Sequence, residues 1–312
     1  VTKVACTEYG AYWLYSDEKC YVYGFNQAAN RVEIMPYNLG GKKVKDISIG
    51  FNICTMIDED GYAWVGRRTS VIPDRINADT TGAVFNNNKS IYGYFFTYVT
   101  LKNDGSLWYW GNDDYDLYAG SAVITKPIKL SPAGVTFTKV SLGRKILALT
   151  TDGRVYEWSQ GNINPVIRTF PRPAIDIFGS RWDFFGALVP DATGSQTMGY
   201  PHVRGSDYQF WGGSQTAANP VGIKNLWNLT VPIKKINANQ NTIAYIDSLG
   251  RLFTLGDNVQ GELGIGSEWV NHAEMNPKPY DWDWGKGRLM YTKPQQVLPQ
   301  SGIKWKDIFT SN

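Results

Sequence analysis

Residues 247–264 decide the fold of this chain: DSLGRLFTLGDNVQGELG. This segment predicts a strand that ends at Ile246, a tight turn closed by Gly250, and a second strand over 251–255. A loop punctuated by glycines then leads the chain away from the sheet. Glycine supplies the positive φ angle that a hairpin turn needs, and alternating apolar residues supply the two strands. The segment is therefore a β-hairpin followed by a long loop.

The same pattern recurs along the chain. Aligned on the glycine or serine after the second strand, the copies are spaced by roughly 40 to 55 residues, a period typical of propeller blades or solenoid repeats. The other copies lie at 17–26, 60–66, 104–112, 152–159 and 208–212. The copy at 17–26 lacks the turn glycine, which predicts a longer hairpin there. The copy at 208–212 keeps only the second strand.

Further apolar segments complete each repeat. Two precede each copy, as at 45–50 and 53–57, and segments that begin at Pro127 and Pro294 lie between copies. Proline cannot donate to a sheet ladder, so the proline-led segments are predicted to be outer or edge strands. Each repeat then has about four short strands, which is the composition of one propeller blade.

This order of elements resembles the repeat of the regulator of chromosome condensation family. Residues 256–264 match the loop signature of that repeat, with Glu262 where the family usually has Gln. The resemblance covers essentially the whole chain and implies an all-β fold, a β-propeller of four-stranded blades. It favours a divergent, bacterial or phage-like member and one propeller domain over residues 1–312. Because the family is a scaffold for unrelated activities, the resemblance leaves the function open.

The last residues, 305–312, resemble the opening strand at 45–50. Six repeats plus the opening strand of a seventh are therefore predicted, in a ring of six or seven blades. An unclosed ring would leave a bare sheet edge, which proteins normally avoid. This pattern favours a fragment of a longer protein over a complete one.

Composition excludes several classes of function. The net charge is +3, and acidic and basic residues are interspersed along the chain. No basic stripe favours nucleic-acid binding. No apolar run reaches transmembrane length. The three cysteines do not build a disulfide framework; they are interpreted as small core residues that leave the redox compartment undecided. Cys6 aligns with Ile49, Cys54 with Leu147, and Cys20 with Tyr62, Leu107 and Val155.

No catalytic or cofactor motif is recognisable. The sequence has no phosphate loop, no His-Glu-x-x-His zinc motif and no local serine triad, so we expect a non-enzymatic protein without a cofactor. The acidic cluster at 112–116 is either a solvated loop or a calcium site. It lacks the distal glutamate of an EF-hand loop, so no metal is predicted.

Two insertions, at about 190–207 and 267–293, depart from the repeat and contain both histidines. The second alternates Trp and Tyr with Asp, Lys and Arg, a pattern that suits sugar rings or a protein interface. A satellite core that buries its own tryptophans is the alternative. The candidate ligand-binding residues are Trp269, His272, Tyr280, Trp282, Trp284, Arg288, Tyr291, Tyr200, His202 and Arg204.

Three functions fit these features. The first is a recognition or adhesion module that binds a cell-surface glycan, cell-wall polymer or surface protein through rim loops, as in host attachment by a phage tail. Such a module would be extracellular or virion-associated, and other chains of a fibre or surface assembly would be partners. The second is a protein-binding inhibitor or scaffold, similar to the propeller-type β-lactamase inhibitors. Guanine-nucleotide exchange ranks last, because the basic docking tail of the family is not seen and two repeats are degenerate.

Overall fold

The computed structural model describes residues 3–6, 12–26, 31–50, 53–67, 71–113, 117, 123–143, 145–159, 161–168, 170, 172–179, 185–190, 196–199, 231–238, 242–257, 263–265, 290–298 and 302–308. The regular structure in these ranges is β-strand, in six antiparallel sheets that follow the six predicted repeats. Within the same ranges, no helix is long and apolar enough to cross a membrane.

Neighbouring strands in each sheet are consecutive in sequence, so each sheet is a meander. Sheet 1 contains β1 (Lys3–Cys6), β2 (Tyr12–Ser16), β3 (Lys19–Asn26) and β4 (Arg31–Pro36). Sheet 2 contains β5 (Val44–Ile49), β6 (Ile53–Asp58), β7 (Ala63–Arg67) and β8 (Asp74–Ile76). Sheet 3 contains β9 (Asn88–Tyr94), β10 (Thr97–Lys102), β11 (Leu107–Gly111) and β12 (Ile124–Lys129).

The later repeats follow the same plan. Sheet 4 contains β13 (Phe137–Leu142), β14 (Ile146–Thr150), β15 (Val155–Trp158) and β16 (Val166–Arg168). Sheet 5 contains β17 (Asp176–Gly179), β18 (Phe185–Pro190) and β19 (Gln196–Gly199). Sheet 6 contains β20 (Ile233–Ala238), β21 (Thr242–Asp247), β22 (Leu252–Asp257) and β23 (Met290–Gln296). The strands that contain Pro127 and Pro294, β12 and β23, are at sheet edges, as predicted.

The chain divides into two compact units, residues 1–152, 156–168 and 309–312 in one and 153–155 and 169–308 in the other. In the first unit, β5 packs against β1 and β9, and β9 packs against β13. These strands approach closely: a Cβ atom at Gly50 would lie 2.0 Å from the backbone oxygen of Phe95. Apolar side chains between successive sheets then form the core.

Glycine closes the hairpins as the sequence predicts. Gly61, Gly105, Gly153 and Gly250 have φ angles of 78–80°. In sheet 2 the Gly61 N–H donates to Asp58 O, and the Asp58 N–H donates to Tyr62 O. This is a type I turn followed by a residue in the left-handed region, the usual three-residue hairpin loop.

The first hairpin is shorter than predicted. Ser16 pairs with Lys19, so Asp17 and Glu18 alone form the turn. Their φ angles are 49° and 60°, and a type I′ turn requires positive φ at both central positions. Two residues other than glycine therefore form a two-residue turn here, and the prediction of a longer hairpin is wrong.

The fifth repeat is described in part. Pro190 ends β18, and residues 196–199, within the segment predicted as the 190–207 insertion, form β19, which pairs with β18. The rest of that segment lies outside the described residues, so the insertion stays a prediction. The predicted second strand at 208–212 lies outside the described residues.

A shared hydrogen bond sets where each repeat begins. The backbone N–H groups of Val44, Asn88, Phe137 and Trp305 donate to the carbonyl oxygens of Glu18, Gly61, Gly105 and Gly250 in the preceding turns. Trp305 is thus in register with the start of an inner strand, as the comparison with 45–50 predicts. Residues 302–308 nevertheless carry no strand, and 309–312 lie outside the described residues.

The ion pairs support this register. Lys3 Nζ lies 2.8 Å from Asp46 Oδ1, and Lys235 Nζ lies 2.8 Å from Asp307 Oδ1. Lys3 and Lys235 occupy the same position, three residues before the end of β1 and of β20. Asp46 and Asp307 both follow, by two residues, the residue that donates to the preceding turn.

The cysteine columns need a shift of one residue. Cys54 pairs with Ile49 as Ile146 pairs with Leu142, so its counterpart is Ile146 and not Leu147. The loop before Cys54 is one residue longer, which explains the offset. Cys20 aligns with Ala63, not Tyr62, because the Glu18 turn and the Gly61 turn accept equivalent bonds. The predicted match of Cys20 with Leu107 is correct, since Gly105 accepts the same bond. Cys20 and Cys54 are buried free thiols, as predicted for core residues; the side chain of Cys6 lies outside the described residues.

Candidate functional site

The structure does not reach the ligand-binding residues that the sequence predicts. Tyr200, His202 and Arg204 lie within 200–230, and Trp269, His272, Tyr280, Trp282, Trp284 and Arg288 lie within 266–289, all outside the described residues. Only the backbone of Tyr291 is described, in β23 opposite Gly256. This candidate site remains a prediction.

The acidic loop after β11 is described in part. Asp113 Oδ1 accepts hydrogen bonds from the hydroxyl of Tyr109 at 2.6 Å and from the N–H of Leu117 at 2.9 Å. The Asp113 carboxylate therefore stabilises the loop to which it belongs. Residues 114–116 lie outside the described residues, and among those described no cluster of three His, Cys, Asp or Glu side chains could hold a metal ion.

Sheet 2 places an arginine over two aromatic rings. Arg75 on β8 is directly opposite Trp64 on β7. Its guanidinium carbon lies 4.7 Å from the ring centroid of Tyr62 and 5.7 Å from that of Trp64. Both rings are half-buried and Arg75 is exposed, so a cation–π contact holds the arginine at the surface.

A buried carboxylate fixes these rings. Asp58 Oδ2 accepts the indole N–H of Trp64 at 2.8 Å, and its Oδ1 accepts the backbone N–H groups of Asp60 and Tyr62. Asp58 is buried at the end of β6, where the hairpin turn begins. One side chain therefore ties the turn to the indole and restricts the rotation of Trp64.

Sheet 3 repeats the arrangement with lysine. Lys102 Nζ lies 4.5 Å from the ring centroid of Phe85 and 4.8 Å from that of Trp108. Lys129, which is exposed, pairs directly across from Trp108. The indole N–H of Trp108 donates to Ser106 Oγ at 3.0 Å. Burial lowers the pKa of Lys102 from its usual value, and Asp104 and Asp79 oppose that shift.

Sheet 6 shows a third version. The Arg251 guanidinium carbon lies 5.4 Å from the Phe253 ring centroid, and Phe253 stacks on Tyr245 with centroids 5.0 Å apart. Arg251 Nε donates to the buried Asp247 Oδ2 at 2.6 Å. We call the three groups the cation–aromatic sites of sheets 2, 3 and 6. They share an aromatic residue on the third strand, three positions after the turn glycine, and a cation beside it.

These sites were not predicted from the sequence. Each aromatic residue was visible in the repeat, as Trp64, Trp108 and Phe253, and was assigned to the strand pattern. In sheets 3 and 6 the cations are Lys102 and Arg251, which lie beside the hairpin turn. The signal that could have revealed the site of sheet 2 is Arg75 on the fourth strand. The pairing of that strand with the third was not predictable residue by residue.

A buried charge cluster in sheet 4 has a different character. Glu157 accepts hydrogen bonds from Lys145, from Arg168 Nε at 2.7 Å and from Ser159 Oγ at 3.1 Å. Burial alone would raise the pKa of Glu157, but Arg168 and Lys145 outweigh it and lower the pKa to about 2. A carboxylate held ionised and enclosed by two cations is poorly suited to proton transfer, so we interpret this cluster as structural.

No family model matches this sequence, and no curated protein matches it either. Solved structures are similar in fold. Human WBSCR16 aligns with a TM-score of 0.67 at 18% identity, over 95% of this chain and 81% of that one. Yeast RCC1 (Prp20), solved with Kap60, aligns with a TM-score of 0.63 at 14% identity, over 89% of this chain and 69% of that one. YCF48 bound to D1 peptide aligns with a TM-score of 0.54 at 12% identity, over 99% and 85%.

These identities establish the fold alone. The chain is all-β and has the β-propeller fold of RCC1-like proteins; in the described residues five sheets have four strands and sheet 5 has three. The predicted fold class is confirmed. A bacterial or phage-like origin stays a prediction.

Proposed function

We propose that this chain is a non-enzymatic propeller that binds a protein partner through the cation–aromatic sites of sheets 2 and 3. The observation that carries the proposal is the pair of half-buried tryptophans, Trp64 and Trp108, each beside a cation and each hydrogen-bonded through its indole N–H. Tryptophan, tyrosine and arginine dominate the binding energy of protein interfaces. Side chains held before binding lose less conformational entropy on association.

The structural neighbours support protein binding. Yeast Prp20 is bound to Kap60, and YCF48 is bound to D1 peptide, so propellers of this fold have protein and peptide partners. The low identity carries no partner over to this chain. An inhibitor or scaffold role is one form of this proposal, because either function requires a protein partner.

A cell-surface glycan or cell-wall polymer is the second candidate ligand. The alternation of Trp282, Trp284 and Tyr291 with charged residues favours it, because sugar C–H faces stack on aromatic rings while hydroxyl groups bond to charged side chains. This function would place the protein outside the cell or on a virion, as in host attachment. It depends on a different segment from the cation–aromatic sites, so the two candidates can be tested separately.

The test places a photoreactive phenylalanine analogue at Tyr62 in the full chain. Partners crosslinked in cell extract would be identified, purified and titrated against the unmodified chain. We expect Arg75→Glu to weaken binding at least tenfold, because it removes the cation–π contact and reverses the charge. Lys126→Glu, an exposed charge reversal on β12, is the matched control and should change binding less than twofold.

The glycan arm uses isolated cell-wall polysaccharide and the double variant Trp282→Ala with Trp284→Ala. Saturable polysaccharide binding that this variant loses, and that Arg75→Glu retains, would favour the second candidate. Equal affinities of the native chain, Arg75→Glu and Lys126→Glu for a crosslinked partner would contradict the first.

A further inference from the structure

Two buried thiols meet between the first two sheets. Cys20 is on β3 of sheet 1 and Cys54 is on β6 of sheet 2, and their Sγ atoms lie 3.7 Å apart. Neither residue has exposed surface. Both belong to the hydrophobic cluster that joins these sheets, which also contains Tyr37, Val44 and Met56.

Equivalent positions in other repeats show what packing alone requires. The counterparts of Cys20 and Cys54 between sheets 2 and 3 are Ala63 and Tyr98, which share one hydrophobic cluster. Between sheets 3 and 4 the counterparts are Leu107 and Ile146, which share another. Aliphatic and aromatic residues fill these positions, so the fold does not need a thiol at either. Between sheets 1 and 2, both positions carry one.

From this juxtaposition we infer that Cys20 and Cys54 are an oxidation site: a small-molecule disulfide such as glutathione disulfide converts them into an inter-sheet disulfide. The sulfur atoms must approach from 3.7 Å to about 2.05 Å, the length of the S–S bond. The backbone around them is already fixed, because the Tyr37 N–H donates to Cys20 O and the Val44 N–H donates to Glu18 O. Closing the remaining gap of about 1.7 Å requires the two side chains to rotate toward each other.

The reaction proceeds by two exchanges. The thiolate of one cysteine attacks glutathione disulfide, forms a mixed disulfide and releases one glutathione thiolate. The second cysteine then attacks the mixed disulfide at the protein sulfur and releases the second glutathione. Two S–H bonds are lost and one S–S bond forms, while glutathione disulfide gains two electrons and two protons and becomes two glutathione thiols.

The burial of both thiols determines the rate. Burial, and then the hydrogen bond with Cys20, raise the pKa of Cys54 well above its usual value. The Cys54 thiolate is therefore scarce in the closed structure, and because both sulfur atoms are buried the first exchange requires sheet 1 to open locally. Once the mixed disulfide has formed, the partner sulfur is adjacent and the second exchange is fast. We expect oxidation over hours at neutral pH, with a rate that rises about tenfold per pH unit.

The disulfide would join two sheets and close a loop with a sequence separation of 34 residues. A crosslink of this kind restricts the unfolded chain and so favours the folded state. The consequence is a staple that holds the first sheet against the second under oxidising conditions and releases it under reducing ones.

The experiment uses the full chain with Cys6→Ala, which removes the third thiol. The folded protein is incubated with glutathione disulfide, quenched in acid and digested without reductant. We expect one crosslinked peptide pair, Cys20 with Cys54, a mass loss of about 2 Da from the two hydrogen atoms removed, and a urea midpoint higher by roughly 0.5–1 M.

The control adds Cys20→Ala, which introduces the residue that the second repeat has at this position. It should show no crosslink and no shift in the urea midpoint on oxidation. Cys54→Ile, matched to Ile146, is a second control if the first does not fold. The inference would be overturned if both thiols were still free in the native protein when a reference dithiol in the same solution is fully oxidised. An oxidised protein that unfolds at a lower urea concentration than the reduced one would also overturn it.

Discussion

The buried carboxylate of Glu157 gives the sharpest stability prediction. Its pKa is about 2 in the folded protein, against an ordinary value of 4.5. That difference corresponds to about 3 kcal/mol of folding free energy at neutral pH. Replacing Glu157 with glutamine also leaves Lys145 and Arg168 without their counter-charge, although Arg168 is partly exposed to water. We expect Glu157→Gln to lower the free energy of unfolding by about 3 kcal/mol at pH 7.

The pH dependence follows from the direction of the shift. Because the folded pKa of Glu157 is lowered, its stabilisation is fully present above about pH 4.5 and is lost as the pH falls toward about 2. Glu157→Gln has no carboxylate at this position, so its stability does not contain this pH-dependent contribution. The stability gap between the native chain and Glu157→Gln should therefore narrow from about 3 kcal/mol at pH 7 to below about 1 kcal/mol near pH 2.5.

Urea unfolding followed by tryptophan fluorescence at both pH values measures this gap. Glu59→Gln, at an exposed position of sheet 2, is the matched control and should change stability by less than about 0.5 kcal/mol. The reasoning is refuted if Glu157→Gln lies within about 1 kcal/mol of the native chain at pH 7, or if the gap is independent of pH.

Other expectations concern the hairpin turns and the contact between sheets. Asp58→Ala should cost about 2–3 kcal/mol in urea unfolding, because three donors lose a buried acceptor; Asp60→Ala, which removes an exposed ion pair with Lys42, should cost less than about 1 kcal/mol. Equal costs would argue against the role of Asp58. Gly50→Ala should reduce the thermal midpoint far more than Gly134→Ala. The Cβ atom added at position 50 would lie 2.0 Å from a backbone oxygen, whereas a Cβ atom at position 134 would meet no atom within 4 Å. At Gly134 only the strain of a positive φ, about 1 kcal/mol, is expected; similar losses of thermal midpoint would contradict the close approach.

The sequence specified the local units well. The hairpins closed by Gly61 and Gly250 and the edge position of the strand at Pro127 were predictable, because each depends on residues within one short segment. The register of Trp305 with Val44 was also predictable, since the repeat supplies a template for comparison. The two-residue turn of Asp17 and Glu18 was not predictable, because two residues other than glycine adopt positive φ angles there. The pairing of Ser16 with Lys19 leaves only these two residues to form the turn.

The candidate sites divide in the same way. The aromatic insertion at about 267–293 was predicted from its residue pattern and lies largely outside the described residues, so it stays a prediction. The cation–aromatic site of sheet 2 required the pairing of β7 with β8, which brings Arg75 opposite Trp64. The site of sheet 3 required the packing that brings Lys102 over the rings of Phe85 and Trp108.

The amino-acid sequence by itself determined the repeat, its hairpins and the all-β class, since periodicity and turn chemistry act over a few neighbouring residues. Only the tertiary structure decided that Cys20 meets Cys54 and that Arg168 and Lys145 enclose Glu157. The physical reason is that these contacts join side chains from different strands or different sheets. Their geometry depends on register and on the packing of whole sheets, which short-range sequence patterns do not specify.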